Sequence, residues 1–244
     1  MYTDAEKRLI PLMFLILLAI TLLLWLLLRK KSAFWQGIPF KVITVALIGG
    51  ELAKQIISIN NGYDFWHLPL HFCSTYFIWF SLAEFSRGKM QKTMRNVAFV
   101  ATLYLFVGLY GYPGGIMSNV CDDVFETYFT AHSFIYHHLV ILYMMLTIAF
   151  KRFQPRKRDA FTWMACFALY FTAATICAYT FEQNYFDILN SEPLPIFEPV
   201  RLAVGQFWYD AGLAFVVVFL GAGVMCLAAI ISNEWRRIKE IRQQ

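Results

Sequence analysis

Long apolar runs separated by short polar connections cover the chain from end to end. Seven can be drawn: Leu9–Leu28, Phe40–Ile59, Leu70–Phe85, Val97–Met117, Phe129–Phe150, Ala160–Phe181 and Ala203–Ser232. Each is near the ~20 residues a helix needs to cross the hydrocarbon of a bilayer. The last is longer, and its fully apolar part, Ala211–Ile231, is taken as the span. The pattern predicts an all-α polytopic bundle of seven transmembrane helices, built by residues 1–244 as one domain.

The connections refine this picture. Leu9–Leu28 is long, follows mixed charge and lacks a small-residue cleavage site before Arg29, so it is read as a helix rather than a signal peptide. The fourth segment ends in Tyr110-Gly111-Tyr112-Pro113-Gly114-Gly115, which breaks the helix where it can line a cavity. Between Glu182 and Glu198, Pro193 and Pro195, with Pro199 just after, predict a structured loop or lid. No repeat at helix-pair spacing is visible, which weighs against inverted-repeat transporter folds.

Composition agrees with the pattern. Hydrophobic residues make up 59% of 244, charged residues 15%, and mean hydropathy is +0.53, too little charge for a soluble domain. The basic residues are sided. Arg29, Lys30, Lys31, Lys41, then Arg87, Lys89, Lys92, Arg95, then Lys151, Arg152, Arg156, Lys157, Arg158, then Arg236, Arg237, Lys239 and Arg242 put seventeen of 21 on one face. Lys7, Arg8 and Arg201 fall opposite, and Lys54 lies inside a span. The positive-inside rule then sets the N-terminus outside and the C-terminus in the cytoplasm. The net charge of +5 is therefore topology, and no nucleic-acid motif accompanies it, so no nucleic-acid partner is expected. Cys73, Cys121, Cys166, Cys177 and Cys226 form no CxxC pair and no disulfide framework; a Cys73–Cys121 bridge is the one alternative.

Candidate chemistry concentrates in Trp66-His67-Leu68-Pro69-Leu70-His71-Phe72-Cys73. Ionisable and reactive groups are costly at membrane depth, so such a cluster reads as a site. Pro69 suits the first turn of a third helix, which would set Cys73 four residues in. His71 and Cys73 would then lie ~200° apart, so a base for the thiol must come from another helix. The fifth segment offers His132 near the depth of Cys73, with His137 and His138 roughly 8–9 Å deeper. Inert buried cysteines and hydrogen-bonding intramembrane histidines are the plain alternatives. Glu51, mid-span, either pairs internally with Lys54 or orients a histidine as the third member of a triad. Asp210 is expected at the same interface, and Glu84 is expected to pair with a basic residue near the cytoplasmic end.

The Leu-Pro-Leu-His-Phe-Cys run, the histidine-bearing fifth segment and the Asn184-Tyr185 pair resemble the YwaF family of bacterial integral membrane proteins. That family is similar, distantly, to animal transmembrane acyltransferases that remodel ether phospholipids with a cysteine nucleophile and a histidine. The resemblance implies a bacterial cytoplasmic membrane, membrane lipids as partners with an acyl-lipid donor, Cys73 as nucleophile and His132 as base. His138 and His71 remain candidate catalytic groups, and His67, Glu51, Asn184, Tyr185 and Asp210 candidate substrate-binding ones. No cofactor and no metal is required. Two other readings stay open: a zinc-dependent seven-helix hydrolase, whose HxxxH pair late in the chain is missing here, and a solute transporter or sensor built on Glu51, Lys54 and the broken fourth helix.

Overall fold

The computed structural model describes residues 3–190 and 197–241. Among them the chain is helical, with no strand. Among the described residues six helices are long and apolar enough to cross a membrane. They are α1 (Asp4–Leu28), α2 (Ala33–Asn60), α4 (Gly88–Gly111), α6 (Tyr128–Ala149), α7 (Lys157–Phe181) and the run Gln206–Glu234, made of α9 (Gln206–Phe215) and the first part of α10 (Gly221–Ile241) joined by a π-turn. Three short helices complete the set: α3 (Tyr76–Phe85), α5 (Pro113–Met117) and α8 (Glu198–Val204).

The third apolar segment departs most from expectation. Its helix begins at Tyr76, so Pro69 opens no helix and Cys73 sits in a 3-10 turn, Cys73–Thr75. The reason is that side chains from elsewhere take the backbone carbonyls. Gln55 Nε2 donates to His67 O (2.6 Å), Tyr170 Oη to Leu70 O (2.7 Å) and Tyr136 Oη to Ser74 O (3.2 Å). Tyr185 Oη donates to Phe65 O, and within the segment His71 Nε2 lies 3.1 Å from Trp66 O. Irregular backbone persists at membrane depth when protein groups satisfy it in this way.

Other elements follow their sequence signals. Thr3 and Glu6 form a reciprocal capping box that starts α1 earlier than hydropathy alone indicates. Proline and glycine end α4 at Gly111, and α5 restarts at Pro113. Pro199 lies in the first turn of α8, whereas Pro193 and Pro195 fall outside the described residues. The π-turn of the last helix forms where Trp163 Nε1 donates to Val217 O and Val218 O, both at 3.1 Å.

At the end where α3 meets α4, buried charges hold four helices together. Glu84 accepts from Arg152 (2.8 Å) and Tyr143 (2.9 Å), so its expected basic partner is found. Asp159 on α7 takes Arg156, Asn96 and Thr93. All five cysteines are free thiols.

Candidate functional site

A polar stripe on α2 founds the site. Glu51, Lys54, Gln55 and Ser58 recur at helical spacing and so share a face. Lys54 Nζ lies 2.7 Å from Glu51 Oε1, and both side chains are buried. Gln55 Nε2 donates to that same oxygen at 2.9 Å, while Tyr63 Oη donates to Gln55 Oε1 at 2.8 Å. Ser58 Oγ and His67 Nδ1 lie 2.8 Å apart, and the His67 ring stacks on Phe129. Burial pushes the His67 pKa below its ordinary value.

Facing this stripe, α6 presents Tyr128, His132 and Tyr136 one turn apart. Tyr128 Oη donates to Gly50 O (2.8 Å), which fixes α6 against α2. A Cβ on Gly50 would come within 3.2 Å of the His132 ring, so glycine is what admits the imidazole. His132 Nε2 stands 4.0 Å from Glu51 Oε2. Both atoms are buried without a hydrogen-bond partner. The gap exceeds a hydrogen bond and is short enough for strong electrostatic coupling.

Tyr136 links this pair to the cysteine turn. Its ring lies 5.2 Å from that of His132, and its hydroxyl donates to Ser74 O and accepts from Phe77 N (3.1 Å). Cys73, half-buried, is within electrostatic reach of Lys54 and Glu51, and neighbours Tyr76, Tyr136 and Tyr170.

The remaining candidates fall around or away from this group. His71 packs against Trp66 and Tyr185, which makes it part of the wall. Asn184 folds its own loop, accepting from Leu189 N and donating to Asn190 O. His137 and His138 turn Nδ1 back to the carbonyls of Ser133 and Phe134 at 2.7 Å, leaving Nε2 of each buried and unpartnered. Asp210 keeps separate company, accepting from Tyr179 and Gln206 at 2.8 Å. Among the described residues no group of three or more His, Cys, Asp and Glu side chains lies in metal-binding range.

A family model described as the TMEM164 family matches residues 1–228. The chain belongs to the TMEM164 family. No curated protein and no solved structure matches it. As a TMEM164 family chain it is a multi-pass membrane protein, in keeping with its apolar helices.

In this family member Lys54, Gln55, Gly50, Tyr128 and Tyr136 border the group; the sequence reading took Lys54 as a partner of Glu51 or part of a transport path and did not single out the other four. The signal was periodicity: polar positions 51, 54, 55 and 58 on an apolar helix, and aromatic or imidazole side chains at 128, 132 and 136. Chemically, the group combines a carboxylate, an ammonium, an imidazole and a thiol in a low-dielectric interior. Those are the parts needed to move one proton and stabilise the charges it leaves behind.

Proposed function

We propose that this chain is a phospholipid acyltransferase whose nucleophile is Cys73, with His132 as its base and Glu51 as the carboxylate behind the base. The Glu51–His132 juxtaposition carries the reading: two buried polar atoms 4.0 Å apart, each without another partner. A carboxylate there stabilises imidazolium and favours its charged form. Lys54, bound to the other oxygen of Glu51, offers a positive charge to the thiolate. Proton transfer thus converts one ion pair into two, which limits the penalty of separating charge in a membrane. Support also comes from the resemblance of the Leu68–Cys73 run to membrane proteins similar to ether-phospholipid acyltransferases.

In the first half-reaction His132 takes the Cys73 Sγ proton, and sulfur attacks the ester carbonyl of a donor phospholipid. The C–O bond breaks, the lysophospholipid oxygen leaves with the proton from His132, and the acyl group remains as a thioester. In the second, His132 takes the proton of an acceptor hydroxyl, whose oxygen attacks the thioester. Cys73 leaves as thiolate and recovers the proton. No cofactor enters. His67, His71, Asn184, Tyr185 and Asp210 would serve substrate binding, with His138 the second choice of base.

The orientation in this reading is N-terminus out and C-terminus in, as the sided basic residues favour, and the resemblance to bacterial membrane proteins supports a bacterial cytoplasmic membrane. The ten-residue α3 and the turns before it would make the seventh crossing. Lipidomics of cells expressing wild type against Cys73→Ala tests the function. Changed acyl composition of phospholipids is expected; identical profiles at equal expression would refute it.

A further inference from the structure

A second site lies at the start of α1, where Tyr110 near the end of α4 packs against that helix, apart from the cysteine. A cavity of about 290 Å³ is lined by Glu6, Lys7, Ile10, Pro11 and Tyr110. The capping box accounts for one oxygen of Glu6: Oε2 accepts from Thr3 N at 2.8 Å. It leaves the other unexplained. Glu6 is 1% exposed, and its Oε1 is buried with no hydrogen-bond partner. Capping needs only an acceptor, which a glutamine or an exposed glutamate supplies equally well. Burying an unpaired carboxylate oxygen is unfavourable, so a ligand that satisfies it is the natural complement.

Pro11 adds a second acceptor. It sits inside α1 and has no N–H for the carbonyl of Lys7, four residues earlier. Both residues line the cavity, as does Tyr110, whose ring packs edge-on against Phe14 of α1. Gly114 of α5 approaches from above, where a Cβ would lie 3.8 Å from Glu6 Oε1. The positive groups nearby are otherwise engaged: Lys7 Nζ is 2.9 Å from Asp4, and Arg8 is exposed and ~200° round the helix from Glu6. The connection that follows is acidic, with Asp122, Asp123 and Glu126. The acceptors outnumber the donors left to them, since Lys7 Nζ is held by Asp4 and Tyr110 brings a single hydroxyl; in an acidic surround they call for a cation that brings N–H groups. A single carboxylate is too few for a divalent metal, and a trimethylammonium group has no N–H to give.

We infer that the Glu6–Pro11–Tyr110 cavity binds a primary ammonium group, from an aminophospholipid headgroup or a free small amine. Glu6 supplies the counter-charge, and the proline-freed Lys7 carbonyl supplies direction.

Two substitutions separate this role from a structural one. Glu6→Gln keeps an acceptor for Thr3 N and removes the charge. Pro11→Ala returns an N–H to the Lys7 carbonyl, improving the helix while removing the free acceptor. The test measures the thermal unfolding midpoint of the full chain in nanodiscs, titrated with ethanolamine or with choline at equal ionic strength. A parallel arm measures, by native mass spectrometry, retention of phosphatidylethanolamine against phosphatidylcholine from an equal mixture. Wild type is expected to be stabilised by ethanolamine but not choline, or to retain phosphatidylethanolamine preferentially; the first outcome marks a free amine as sufficient, the second a lipid headgroup. Both variants should fold, Pro11→Ala with a midpoint at or above wild type, and both should lose the preference at least tenfold. Wild type indifferent to ammonium over trimethylammonium in both arms would overturn the inference, as would variants that keep the preference.

Discussion

At Glu51 the two oxygens of one carboxylate face different partners: Oε1 takes Lys54 and Gln55, and Oε2 faces His132. Glu51→Gln leaves the Lys54 ammonium buried and unpaired, so a loss of about 3 kcal/mol is expected in denaturant unfolding. The double variant Glu51→Gln/Lys54→Met should recover most of it while staying inactive. Gly50→Ala separates stability from function more sharply. A methyl in a helix interior adds up to about 1 kcal/mol, yet here it displaces the His132 ring. Unfolding should be unchanged or later, while modification of Cys73 by an acyl donor should slow by about tenfold or more, as small misplacements of catalytic groups do. Equal rates in the two proteins would detach His132 from the chemistry. Asp187, in the loop before α8, makes a pH prediction. Burial raises its pKa to about 6 from 3.8, so the folded loop prefers the protonated acid. Its stabilising contribution is complete below about pH 4 and lost as pH rises through 6. Asp187→Asn, which also suits the positive φ of 56°, should raise loop protection in hydrogen exchange at pH 7 and flatten its dependence between pH 4 and 6. Which residues carry charge or a thiol was plain from sequence. Which of them meet was not, because contacts such as Tyr136 with Ser74 join positions 62 apart and depend on how α6 is rotated.

At the scale of elements, hydropathy located the long helices and misjudged the third. Apolar composition reports that Leu70–Phe85 avoids water, not that its backbone bonds to itself. Four side chains from α2, α6, α7 and the loop before α8 instead take carbonyls between Phe65 and Ser74, and none of them is visible from local sequence. The π-turn in the last helix has the same origin. Trp163 lies so close that a Cβ on Gly221 would meet its ring at 2.2 Å. Backbone and indole must both yield to Gly221→Ala, so a loss of about 2 kcal/mol is expected, with the Trp163 fluorescence shifted as its two carbonyl bonds loosen. An unshifted spectrum and unchanged midpoint would mean that the turn is set by the helix itself.

Over the whole molecule, two polar centres stand at opposite ends of the bundle. Glu84 with Arg152, and Asp159 with Arg156, hold the end rich in basic residues, while Glu51, Lys54 and His132 hold the other. Cysteine-accessibility labelling should find the connection around Arg156 on the cytoplasmic side and the one around Asp122 outside; the reverse would invert the orientation and move the thiol to the inner leaflet. The most direct test of the account is the mass of the intact purified protein after exposure to phospholipid in nanodiscs. The account predicts one added acyl group, released by hydroxylamine as a thioester is, absent from Cys73→Ala and markedly slower to form in His132→Ala. Well-folded wild type that gains no such mass, or gains it equally with Cys73 replaced, would contradict it.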